Sequence, residues 1–327
     1  MKVLLSENDN PLFEKAETLK MMFETTYYFA GTSTPENAHG LWYDFYLTPS
    51  LGHYGNTPQF SVHMSIAPTE QLGMIVMTNQ AQEMKLNHGL GDIVFGDNSD
   101  GQKDTYKQLT FKEYYTGART IESGYCRFYH YFQIYQVKET GDNTIIISSP
   151  FMKIPCTRIG ENVYCADEGF VKGYHFYVED QDGVVQKIAT STFDLIPYSS
   201  GKVILETISF ILLGIALVVT FVLCILCILK LCKNKKQKNC LPLLINVLTI
   251  LVFVNIIMEA GKLISTTAST KDMIPYVMFY FTYLVAGFGY AVYFFKSKRK
   301  DAIKAITLGT SITIITFILY WQMILIL

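Results

Sequence analysis

The sequence predicts an α+β chain joined to a membrane-spanning helical region, and three observations carry that reading. Segments rich in aromatic and β-branched residues, bounded by turn signals, recur through residues 40–80 and again through 109–198. Helical segments flank the first set, at Leu12–Phe23 and Gln82–Phe95. Four apolar stretches then follow, each long enough to cross a bilayer, which takes about 20 residues at roughly 1.5 Å each.

In Leu12–Phe23, the residues Leu12, Ala16, Leu19, Met22 and Phe23 share one helical face, and Asn10-Pro11 supplies a start signal. Gly40–Leu47, Gln59–Ala67 and Leu72–Thr78 read as strands. The turns Thr48-Pro49-Ser50 and Pro68-Thr69-Glu70 make them an antiparallel meander. Gly89 and Gly91 weaken the helix Gln82–Phe95. Residues 1–97 are thus one domain and the polar, turn-rich 98–108 a linker. Residues 109–200 form a small all-β domain, a sandwich or a barrel. Its strands are Tyr125–Val137, Asn143–Ile147, Lys153–Arg158, Asn162–Cys165, Gly173–Glu179 and Val184–Ile188. In the helical region, residues 203–327, the spans are Thr207–Leu229, Leu241–Ile264, Met273–Phe295 and Ala305–Leu327. Asn246, Asn255, Glu259 and Lys262 interrupt the second. Glu259 and Lys262 lie one turn apart near a membrane face, where a paired or snorkelling role is expected.

The net charge of −1 averages two unlike halves, and no basic patch in the first half points to nucleic acid. No cofactor motif is present. His39, His63, His88, His130 and His175 show no metal-ligand spacing and read as surface or packing residues. Cys224 and Cys227 read as packing within a span. Cys156 and Cys165 flank a hairpin turn at Gly160-Glu161-Asn162, across which a disulfide is geometrically conceivable. Lys230, Lys233, Lys235, Lys236 and Lys238 follow the first span, and Lys296, Lys298, Arg299 and Lys300 follow the third. The loop around Ser265–Asp272 has only Lys271. Basic loops resist translocation, so both face the cytoplasm and contact anionic lipid heads, while the N-terminal domains and the C-terminus face outside. Residues 1–50 hold no signal peptide, so either the first span drives export or the chain is the tail of a longer protein.

The stretch LGHYGNTPQFSVHMSIAPTEQLGMIVMTN, residues 51–79, resembles the third active-site motif of serine β-lactamase-like hydrolases, the family of class C β-lactamases, penicillin-binding proteins and D-alanyl carboxypeptidases. The matching positions are His53, Gly55, Pro58, Phe60, Ser61, Pro68, Gly73, Val76, Thr78 and Asn79. The all-β segment resembles the small domain that follows the hydrolase domain in membrane-bound relatives. It opens on Thr116-Gly117-Ala118-Arg119 and closes on Phe193-Asp194-Leu195-Ile196-Pro197-Tyr198. The resemblance implies that residues 1–97 are part of a β-lactamase/transpeptidase-like domain.

Acyl transfer in that family takes a Ser-x-x-Lys nucleophile helix, a Tyr-x-Asn proton carrier and the Lys/His-x-Gly strand. Only the third is expected here. The resemblance makes His53 a contact for the substrate carboxylate or the catalytic tyrosine, and the Asn56 N–H an oxyanion-hole donor. Tyr54 stands where a small residue is usual, and Gln59 replaces a glycine. Ser199–Lys202 and Ser297–Lys300 fit Ser-x-x-Lys by letters only, as juxtamembrane and cytoplasmic segments. The expected function is that of a membrane-anchored hydrolase present as its C-terminal portion and inactive alone, with an upstream-encoded half as partner and a cell-wall peptide as ligand. The alternative is a non-catalytic extracytoplasmic binding or sensor module. On the first reading, Gly40–Leu47 and Leu51–Tyr54 lie on an open sheet edge.

Overall fold

The computed structural model describes residues 1–5, 12–30, 32–57, 59–81, 83, 85–97, 106–168, 171–172, 174–191, 193–233, 239–264, 269–298 and 301–325. Several expectations fall outside the described residues: the helix start at Asn10-Pro11, Pro58 of the motif, 98–105 of the linker, the loop positions 265–268, the charges Lys235, Lys236, Lys238, Arg299 and Lys300, and the last two residues of the fourth span.

The fold is α+β, with antiparallel sheets, an eight-stranded barrel and four long apolar helices. It divides into two units. The first comprises Met1–Thr120 with Gln133–Ser200, and the second Ile121–Phe132 with Gly201–Leu327.

In the first unit a short 3-10 turn, Lys2–Leu5, and helix α1 (Ala16–Met22) precede a six-stranded meander. Its strands are β1 (Tyr27–Tyr28), β2 (Pro35–Ala38), β3 (Leu41–Asp44), β4 (Ser50–Asn56), β5 (Ser61–Ala67) and β6 (Leu72–Thr78), paired in sequence order. Side chains alternate between faces along a strand. Leu51 and Ile66 therefore pack against Met1, Leu4, Leu5, Met22 and Phe23 on one face. Ala67, Met74 and Val76 pack on the other, with Leu90 and Phe95 of helix α2 (Lys85–Phe95).

The expected open edge is corrected here. β3 lies between β2 and β4, so it is covered on both sides. β3 pairs with β4 only from Asp44↔Ser50 to Trp42↔Gly52, whereas β5 pairs along all of β4 to Asn56↔Ser61. The second half of β4, His53–Asn56, therefore extends beyond the β3 pairing, which ends at Trp42↔Gly52 among the described residues.

Eight strands, β7 (Tyr114–Gly117), β8 (Ile134–Gly141), β9 (Thr144–Ser149), β10 (Met152–Gly160), β11 (Val163–Ala166), β12 (His175–Gln181), β13 (Val184–Ala189) and β14 (Asp194–Pro197), form a closed up-and-down barrel. The choice between sandwich and barrel is settled at the seam, where Leu195 pairs with Gly117 and Pro197 with Tyr115. The opening and closing segments of the all-β resemblance thus lie on neighbouring strands. Inward positions of one parity, including Val137, Ile145, Ile147, Ile154, Cys156, Phe176, Ile188 and Leu195, make its core.

Local geometry answers one open question and corrects one expectation. Cys156 and Cys165 are not bridged. The register pairs Cys156 with Ala166 and Thr157 with Cys165, and a one-residue offset puts the two sulfurs on opposite faces. Burial raises the Cys156 thiol well above its usual range. The strand expected over Tyr125–Val137 begins only at Ile134. The residues before it form a 3-10 helix, Arg127–Gln133, because their aromatic run serves the second unit. There Phe128 joins the core with Leu213, Val252, Tyr280 and Trp321.

The second unit contains α3 (Ser200–Lys233), α4 (Leu241–Ile264), α5 (Thr270–Lys296) and α6 (Ala302–Tyr320), each long and apolar enough to cross a membrane. Its buried polar groups pair across helices. Asn246 Nδ2 donates to Thr307 at 3.1 Å, and Tyr283 meets Thr249 at 2.7 Å and Ser311 at 3.4 Å. Glu259 lies inside the bundle, 0% exposed, and accepts the Tyr280 hydroxyl at 2.5 Å.

Candidate functional site

The described residues of the 51–79 stretch sit on the β4–β5–β6 meander and its turns. His53 is exposed, and its ring stacks on the Trp42 indole with centroids 4.4 Å apart. Gly55 follows on the same face, also exposed. Asn56, with Tyr54, belongs to the opposite face. The structure therefore does not bring the side chains of His53 and Asn56 together. Phe60 is exposed, and Ser61 is fully buried, donating to the Gln80 carbonyl at 2.8 Å and accepting Glu83 N–H at 2.9 Å. Ser61 therefore fastens the turn after β6 and is not a nucleophile.

The Tyr54 face carries a polar cluster that the sequence did not single out. The Tyr54 hydroxyl donates to Asp44. Ser65 Oγ donates to Asp44 Oδ2 at 2.5 Å, and His63 Nε2 lies 2.7 Å from Ser65 Oγ and 3.4 Å from Asp44. His63 Nδ1 faces the Asn87 carbonyl of α2 at 3.2 Å. Ser, His and Asp are the residue types of a hydrolase triad, but their order differs. In a working triad the carboxylate orients the ring nitrogen remote from the nucleophile. Here Asp44 sits beside Ser65 and takes its hydrogen, and Ser65 and His63 are both 0% exposed. The cluster satisfies a buried carboxylate, as burial of a charge requires. Gly52 makes room for it, since a Cβ there would stand 2.5 Å from Asp44 Oδ2 and 2.6 Å from the Met64 carbonyl.

Tyr54 fills the space that a small residue would leave. Its ring lies 4.3 Å from His63 and 5.0 Å from His88. Burial, then the Asp44 charge, raises its phenol well above the ordinary range. Burial, then His63, lowers His88 to about 4, Asp44 opposing. His88 is thus a neutral ring at neutral pH.

Beside these groups lies a cavity of about 360 Å³. Trp42, Tyr54, Asn56 and His88 line it from the sheet and α2, and Tyr135, Ile147, Met152, Ile154, Phe176 and Leu195 line it from the barrel. The apolar part is the mouth of the barrel itself, since Ile147, Ile154, Phe176 and Leu195 belong to the barrel core. Lys172 and Tyr174 complete the rim. An eight-stranded barrel has an interior of the size that side chains fill or one small ligand occupies, and this volume is at the lower end of small-molecule sites. An apolar floor with a few polar rim groups suits a ligand with an apolar arm and a hydrogen-bonding end. Among the described residues, no cluster of three or more metal-ligating side chains occurs.

No protein-family model matches the chain, and no curated protein matches it. A solved structure, that of SurE with D-Leu, aligns at 11% identity and a TM-score of 0.32, over 56% of this chain and 43% of that one. The chain therefore spans under half the length of that structure, and a likeness this low carries no argument.

Proposed function

We propose that this chain is the membrane-anchored, substrate-holding portion of a β-lactamase-like serine hydrolase of the penicillin-binding type, and that it performs no acyl transfer by itself. One observation carries the reading. Gly55 and Asn56 of the third motif lie on the half of β4 beyond its pairing with β3, and Asn56 borders the apolar cavity. A strand flank of this kind offers backbone donors and acceptors to an extended ligand. The Asn56 N–H would serve as one oxyanion donor, and the ligand's apolar arm would enter the barrel mouth. Among the described residues the cavity lining includes no serine, and the nucleophile and its proton carrier would come from a partner polypeptide. The four apolar helices fit a multi-pass anchor. With the basic loops inside, the sheet and barrel would be extracytoplasmic, where a cell-wall peptide is the leading substrate.

The test has two arms on the purified full chain. A fluorescent penicillin or fluorophosphonate is expected to leave no covalent label, and an adduct on any serine would overturn the inactive reading. A fluorescent N-acyl dipeptide is expected to bind and to lose binding in Ile154→Trp, which fills the cavity. Equal binding in that variant would overturn the substrate-holding role. A second reading, a binding or sensor module with no hydrolase role, is favoured by Tyr54, whose ring occupies the small-residue position. Co-purification with a polypeptide bearing Ser-x-x-Lys and Tyr-x-Asn, with penicillin labelling restored, would decide for the hydrolase.

A further inference from the structure

The same barrel has a second cavity, of about 480 Å³, farther along the same strands, lined among others by Tyr106, Glu139, Asp142, Asn143, Arg158 and Tyr164. Arg158 shares the inward parity of Ile154 and Cys156 on β10, and Glu139 that of Val137 on β8. Arg158 is 3% exposed. Its Nε donates to the carbonyls of Gly160 at 3.3 Å and Glu161 at 3.0 Å, Nη1 to that of Lys107 at 2.6 Å, and Nη2 to Glu161. The guanidinium carbon lies 4.8 Å from the Tyr106 ring centroid and 5.8 Å from that of Tyr164. Among the described residues no carboxylate forms an ion pair with it.

A guanidinium has five N–H groups. These bonds engage the one on Nε and one on each Nη, and the Tyr164 hydroxyl takes a further contact with the fork, which leaves room for one more partner. A nearly buried cation whose partners are dipoles and ring faces lacks the counter-ion that burial of charge calls for. A carboxylate matches the planar fork. Lys107 in the same lining is paired with Asp180 at 2.7 Å, and Glu139 and Asp142 oppose a simple anion, so a suitable ligand also brings positive charge. β8 and β10 flank β9, which puts Glu139 and Arg158 on strands about 10 Å apart at the backbone. A cavity of about 480 Å³ has room for one or two amino-acid residues. We propose that this end of the barrel binds a free amino acid or short peptide, with its carboxylate on Arg158 and its ammonium on Glu139 and Asp142.

The experiment is calorimetric titration of the detergent-solubilised full chain, carrying Ile154→Trp so that the first cavity is filled, with unmodified alanyl dipeptides of both configurations and with their N-acetyl and C-amide forms. At least one free dipeptide is expected to bind, and each blocked form to bind about tenfold more weakly, the worth of one lost charged contact. Arg158 also clamps two backbone segments, so Arg158→Gln alone is ambiguous if it unfolds. Glu139→Gln, at an exposed strand end, keeps the fold. It is expected to weaken the free dipeptide several-fold while leaving the N-acetyl form unchanged. Absence of binding by every free peptide, equal binding of blocked and free forms, or an unchanged affinity in Glu139→Gln would each overturn the proposal.

Discussion

Acid should destabilise the sheet-and-barrel unit through His88 and His175. Both are lowered from 6.5 to about 4: His88 by burial, then His63, with Asp44 opposing, and His175 by burial. His175 packs against Phe45, with centroids 5.2 Å apart, and its Nε2 has no hydrogen-bond partner among the described groups. In the folded protein each ring stays neutral until the pH nears 4, whereas the unfolded chain takes up a proton near 6.5. The stability is therefore fully present above 6.5 and lost as the pH falls from 6.5 towards 4. At pH 5 the unfolded state gains about 2 kcal/mol per histidine, rising to a ceiling of about 3 kcal/mol at low pH. The assay is urea unfolding of the detergent-solubilised chain at pH 7.5 and 5. The chain has two tryptophans, so Trp321→Phe leaves Trp42 as the reporter of this unit. His175→Phe should remove about half of the acid loss, and His88→Gln most of the rest. An acid loss of the same size in both variants would refute the reasoning.

Gly52→Ala should cost about 1–3 kcal/mol, the range for overpacking, because the new methyl would meet Asp44 and the Met64 carbonyl at 2.5 and 2.6 Å; the same Trp42-reported unfolding measures it. Tyr283→Phe should destabilise the helical unit by about 0.6–2 kcal/mol, since it removes the hydroxyl shared by Thr249 and Ser311; thermal unfolding in detergent reads the loss, and an unchanged midpoint would count against the buried network. Single cysteines at Ser265 and Gln237, in a background without native cysteines, test orientation with an impermeant thiol reagent on intact cells. Label at 265 and not at 237 is expected.

The helices were legible because long apolar runs have few other uses, and their ends moved only by flanking turns. The barrel strands were legible from turn residues such as Asp180–Gly183, although closure was not: it depends on β14 reaching β7, a pairing between residues nearly 80 positions apart. The aromatic run at 127–133 misled because Phe and Tyr favour strands locally, and burial against the helical unit overrode that preference. His53, Gly55 and Asn56 were visible as letters. The face each side chain takes was not, because it depends on the register of β4 against β5. Asp44 comes from β3 and His63 and Ser65 from β5, with β4 between them, and only Cα pairing such as Asp44↔Ser50 and Gly52↔Ser65 reveals that they meet. Alternation along β5 pointed the other way: Val62, Met64 and Ile66 form the apolar set, so His63 and Ser65 read as outward, whereas the structure buries them, with His63 facing the Asn87 carbonyl of α2.

Because β7 and β14 are neighbours, the chain first enters and last leaves the barrel through one port, apart from the excursion of Ile121–Phe132 into the second unit between β7 and β8. Ala118 N–H bonds the Asp194 carbonyl at 2.8 Å, and Tyr198 N–H bonds the Tyr114 carbonyl at 2.8 Å, so the incoming and outgoing backbones are latched at both ends of that seam. A ring latched this way behaves as a cassette. Its strand order is cyclic, so cutting any one hairpin turn and rejoining the chain at the seam preserves every pairing. Lengthening the hairpins at the two mouths would reshape what the barrel admits without disturbing the port, which leaves ligand choice and attachment free to change independently.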